Sequence, residues 1–82
     1  MSTKKLSNIP IKDFRKFLLS QGLNIIKTTK GRGGHEKWSK SGIDRPITIQ
    51  THIDPVPEFI VKQVIRHLGM NRNDFFKAML RI

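Results

Sequence analysis

"HEKWSKSGIDRPITIQTH", residues 35–52, is the stretch on which the fold turns. "SGID" carries the residues of a hairpin turn, and "RPITIQTH" alternates branched and polar side chains as a strand does. "HEKWSK" is then the partner strand, folded back by the turn. A hairpin sets the start of one strand beside the end of the other, so His35 and His52 fall at the same end of the sheet. The pleat sorts the side chains onto two faces. Ile47 and Ile49 take the core side, with Trp38 as their cross-strand companion and Glu36 beside it. His35 and Lys37 point the other way, in the company of Thr48, Gln50 and His52.

Upstream, "LNIIKTT" is short and rich in branched residues and reads as a further strand. Before it, "IPIKDFRKFLLSQG" reads as a helix. Pro10 suits its first turn, Gly22 suits the position past its end, and Ile11, Phe14, Phe17 and Leu18 form one apolar stripe. Downstream, "DPVPEFIVKQVIRHLG" reads as a second helix with Ile60, Val61, Val64, Ile65 and Leu68 on its apolar arc. A last helix starts at Asn71 or Asn73 and carries Phe75, Phe76, Met79 and Leu80. Phe59 falls on the polar arc of the second helix and is expected to pack under the last one. The expected fold is α+β: a three-stranded antiparallel sheet with helices on one face, in the order α-β-β-β-α plus a short C-terminal helix. Residues 1–82 make a single domain, with residues 1–8 frayed.

The chain has 82 residues, room for one small core. A domain of this size buries only ~60% of its unfolded surface. With no cysteine there is neither a disulfide nor a cysteine zinc site, which fits the cytoplasm. No apolar run is long enough for a membrane helix, and residues 1–7 do not read as a signal peptide. Sixteen Lys and Arg against six Asp and Glu give a net charge of +10. So basic a small domain repels itself unless it has a polyanionic partner. Nucleic acid leads, an acidic protein follows, and a membrane surface ranks below both because no long basic amphipathic helix stands out.

"GRGG", residues 31–34, matches neither the P-loop nor the GxGxxG pattern. Its backbone N–H groups, together with Lys27, Lys30 and Arg32, would still converge on a phosphate. The same glycines are equally what a turn with positive φ requires. His35 is either a polar strand-start residue or an acid–base group. His52 is either a second such group or a cap before "DPVP". His67, near the end of the second helix, suits the helix dipole. Trp38 could stack on a base, but its side of the pleat assigns it to the core. Lys12, Arg15 and Lys16 lie together on the first helix and form an outer basic patch. Asp13, Asp44, Asp54 and Asp74 are scattered, so neither a metal nor a cofactor is expected.

"GGHEKW" at 33–38, following a helix and a strand, resembles the Gly-Ser-His-x-x-aromatic signature of HicA-type toxins. "PITIQTHIDPVPEFIVKQVI" resembles the strand, histidine and second helix of that family, and the likeness covers residues 9 to about 76. The resemblance implies a double-stranded-RNA-binding-domain-like fold. It further implies an endoribonuclease (mRNA interferase), the toxin of a type II toxin–antitoxin system, that cleaves mRNA without a metal. His35 corresponds to the family's catalytic histidine, and the signature's glycine falls on Gly33. Gly34 stands where many members have serine, which leaves a backbone N–H as the donor at that position. Charge and the glycine-rich loop add the candidate RNA-binding set Lys27, Lys30, Arg32, Gly33, Gly34 and Lys37. The implied partners are RNA and a HicB-type acidic antitoxin covering the active face. A non-catalytic RNA-binding module is the alternative from another class. Imidazole changes charge near neutrality, so it can take the 2′-OH proton while cations offset the charge developing on phosphorus.

Overall fold

The computed structural model describes residues 6–29 and 34–82. Its elements are α1 (Ile11–Ser20), β1 (Asn24–Thr28), β2 (His35–Ser39), β3 (Ile47–Gln50), α2 (Glu58–His67) and α3 (Arg72–Met79). The sheet is antiparallel with strand order β1-β2-β3, so β2 is central. This is the α+β architecture expected from the sequence.

The β2–β3 register pairs Trp38 with Ile47, Glu36 with Ile49, Lys37 with Thr48 and His35 with Gln50. Trp38, Ile47 and Ile49 are buried, and the helices lay Phe14, Phe17, Leu18, Val61, Val64, Ile65 and Phe75 into the same core. Lys37, Thr48 and Gln50 are exposed on the opposite face. Trp38 is 1% exposed, so it is a core residue and not a platform for bases.

Local chemistry sets the helix ends. Asp54, in the loop before α2, accepts the Ile11 N–H at 2.9 Å and so satisfies a donor at the first turn of α1. Past the end of α1, Gly22 takes φ +86, and the Leu23 N–H returns to the Leu18 carbonyl. Asn71 caps α3 in a capping box with Asp74, which settles where the last helix begins. Phe75 meets Phe17 edge-on at 4.7 Å between ring centroids.

Four expectations change. The second helix begins at Glu58, not at Asp54. A residue before proline is driven from the helical region, and Val56, before Pro57, instead forms a bridge with Ile9. That bridge also holds the chain before α1: Leu6 and Ile9 are buried, so residues 6–8 are not frayed. Residues 1–5 lie outside the described part. Phe59 is 68% exposed and does not pack under α3, because Phe75 fills the place beside Phe14 and Phe17. Finally, β1 is not a regular strand. Its register on β2 slips between Ile25 and Lys27.

Among the described residues, no helix is long and apolar enough to cross a membrane.

Candidate functional site

The open face of the sheet is built by the pleat and by the slip in β1. Ile25 pairs with Trp38 and Lys27 pairs with Lys37, so Ile26 is an extra residue between them. In a regular strand, positions 25 and 27 would share a face. The bulge resets the phase and brings Lys27 to the face of Lys37. Two lysines thus stand directly opposite each other, an arrangement that costs stability. Neither has a carboxylate partner among the described residues, where the ion pairs are Arg15–Glu36 and Lys62–Glu58. The only carboxylate in the three strands is Glu36, and the pleat turns it inward.

Lys27, Thr29, His35, Lys37 and Thr48 line one open concavity of about 350 Å³. His35 is pinned by its backbone on both sides. On the β1 side, the Thr29 N–H donates to the His35 carbonyl at 2.8 Å. The His35 N–H in turn donates to Thr29 Oγ1 at 2.9 Å. On the β3 side, the Thr51 N–H donates to the Gly34 carbonyl at 2.9 Å. The half-buried ring is therefore carried by a fixed backbone. Among the described residues, no side chain bonds to either of its nitrogens.

The structure brings together Lys27, His35 and Lys37 of the expected site, and buried Gly34 adjoins them. Lys30, Arg32 and Gly33 lie outside the described residues. His52 is exposed in the turn after β3, at the expected end of the sheet, but it does not line the concavity. Two observations bear on the outer patch. First, α1 covers the core face, so Lys12 and Lys16 are exposed on the far side of the sheet from His35. Second, Arg15 is not a free cation. Its Nη2 meets Glu36 Oε2 at 2.9 Å, and its Nε donates to Glu36 Oε1 at 3.1 Å. The Trp38 indole N–H donates to the same Oε1 at 3.2 Å, so the one buried carboxylate holds helix, strand and indole together.

Thr29 is the member that strand patterning does not single out. Its one signal is its place, one residue past the end of β1 and close before the glycine-rich stretch. A smaller cavity of about 250 Å³ separates β3 from α2, with Arg45, Gln63 and His67 in its wall. There the His67 ring is already engaged: Nε2 lies 2.9 Å from the Arg45 carbonyl, an acceptor only, so this nitrogen carries the proton. His67 therefore ties the β2–β3 connection to the end of α2. Among the described residues, no three His, Cys, Asp or Glu side chains gather as a metal site would need.

No protein-family model, curated protein or solved structure significantly matches this chain.

Proposed function

We propose that this protein is an endoribonuclease of the HicA type, the toxin of a type II toxin–antitoxin pair in the cytoplasm. In this proposal His35 serves as acid–base catalyst and no metal takes part. The observation that supports it most is the Lys27–Lys37 pair, set opposite each other beside His35 on a face without a carboxylate among the described residues. Such a face is strained by its own charge and relieved by phosphate.

In the proposed reaction, His35 takes the proton of the 2′-OH. The 2′-oxygen forms its bond to phosphorus, and the bond to the 5′-oxygen breaks. The leaving oxygen takes a proton from a lysine ammonium or from water. Lys27 and Lys37 offset the charge on the pentacoordinate phosphorus. The products are a 2′,3′-cyclic phosphate and a 5′-hydroxyl.

The partner in this proposal is a HicB-type acidic antitoxin that covers the open face. Carboxylates placed against Lys27 and Lys37 would mimic phosphates and speed association. Hydrogen exchange should then show residues 34–38 gaining protection in the complex. Unchanged exchange there, with cleavage still stopped, would exclude occlusion.

The decisive experiment is His35→Ala. The variant should keep its circular-dichroism spectrum and its affinity for RNA while losing cleavage. Cleavage by the wild type should survive a chelator and fail on a substrate with a 2′-deoxy sugar at the scissile position. Chelator-sensitive cleavage leaving 5′-phosphates would mean metal-bound water and end this scheme. A non-catalytic RNA-binding module is the second reading, favoured by the absence of His52 from the concavity. RNA binding by the wild type without cleavage would establish it.

A further inference from the structure

We infer that Thr29 is a phosphate-binding residue of this site: its hydroxyl accepts the His35 N–H and donates its own proton to a phosphate oxygen in the concavity. The inference rests on taking the concavity as a phosphate site, and it adds a neutral donor beside the imidazole.

The hydrogen-bond inventory carries it. The Thr29 oxygen already accepts from His35 N at 2.9 Å. That leaves one O–H to donate. Its only acceptor among the described residues is the His35 carbonyl, at 3.4 Å. This is far outside the ordinary range for a hydroxyl donor, so the bond is weak and easily exchanged. The same carbonyl is already served by the Thr29 N–H at 2.8 Å and loses little when the hydroxyl turns away. Thr29 lines the concavity with Lys27, His35, Lys37 and Thr48, so an anion held there lies within reach of the freed donor.

The consequence is a chain of hydrogen bonds from phosphate through the threonine oxygen to the His35 amide. Such chains polarise each bond in them. The anion would thus tighten the backbone that carries the imidazole. Phosphate binding and histidine placement become one event, which a merely structural threonine would not produce. Thr48 sits in the same wall, but no hydrogen bond links its side chain to His35 among the described residues. The effect is therefore specific to Thr29.

The source of the phosphate is either an RNA backbone or free inorganic phosphate, so both serve as probes. The full chain is titrated with inorganic phosphate and, separately, with a 2′-O-methyl oligoribonucleotide that cannot be cleaved. Amide NMR signals are followed in the wild type, Thr29→Val and Thr29→Ser. Valine keeps the shape and suits an exposed strand end, where water can take the orphaned His35 N–H. We expect both probes to shift the Thr29 and His35 amides more than any in α2. Thr29→Val should weaken both by about tenfold, the value of one hydrogen bond to a charged group, and Thr29→Ser should recover most of the loss. In RNA cleavage the valine variant should lose about as much in kcat/KM, again with recovery in the serine variant.

Binding by Thr29→Val within about threefold of wild type overturns the inference. So does a serine variant no better than the valine one, or a wild type whose His35 amide neither probe moves. Should the valine variant fail to fold, the ranking of amide shifts in the wild type decides by itself. Thr29-dependent binding without any cleavage would uphold the inference and sink the ribonuclease reading.

Discussion

Glu36 makes the sharpest case for how much one side chain can hold. It is 7% exposed, bonded twice by Arg15 and once by the Trp38 indole. Removing it leaves an indole N–H buried without a partner and frees a cation over the core. We expect Glu36→Ala to cost about 2–3 kcal/mol, read as a lower urea midpoint at unchanged slope. Phe59 and Phe75 form the contrasting pair. They are the same residue type on neighbouring helices, yet Phe59 stands in solvent while Phe75 is fully buried against Phe14 and Phe17. Phe75→Ala should cost about 3–5 kcal/mol, whereas Phe59→Ser should change stability by less than about 0.5 kcal/mol. Stability curves for the two variants check this directly. Helical periodicity put Phe59 on the polar arc correctly. Supposing that an aromatic there must find cover was the error, because one phenylalanine of α3 already fills the space.

At the scale of elements, β1 is the strand that supplies Lys27 to the concavity. Its five residues are all exposed, at the edge of the sheet. Its bulge sets two lysines against each other. Lys27→Thr replaces one of them with a good strand former. It should raise stability by about 0.2–1 kcal/mol while weakening RNA binding. Opposite signs in a denaturation curve and a binding titration would mark Lys27 as a residue kept for its ligand. If both measurements fell together, its role would be structural. The faces of the β2–β3 hairpin were legible down to single residues, since the alternation of Trp38, Ile47 and Ile49 against Lys37 and Thr48 admits one assignment of sides and the turn sets the register. The bulge was not legible. Ile25 and Ile26 are both branched and apolar, and nothing in their identity says which is the extra one. The start of α2 was misjudged for a related reason. Pro57 does suit a helix start, but Val56 belongs to the bridge with Ile9, a contact distant in sequence.

Across the whole molecule, the basic side chains among the described residues do not form one surface. Lys12 and Lys16 stand on the helical layer, Lys62 leans on Glu58, and Lys27 and Lys37 stand on the open sheet face. Single-stranded RNA held by about four phosphates should give a log–log salt slope near −3. Lys27→Gln and Lys37→Gln should each lower its magnitude by about 0.7, and Lys12→Gln should leave it unchanged if the strand follows the sheet. An equal loss from Lys12→Gln would move the RNA path onto the helices. The pinning of Thr29 to His35 has a consequence for variation. Three backbone atoms (the Thr29 nitrogen and the His35 nitrogen and carbonyl oxygen) and one hydroxyl hold Thr29 and His35 together. Lengthening a segment with fixed ends costs only about 0.6 kcal/mol per doubling. A longer segment between Thr29 and His35 should therefore leave the imidazole in register, read as an unchanged His35 amide signal.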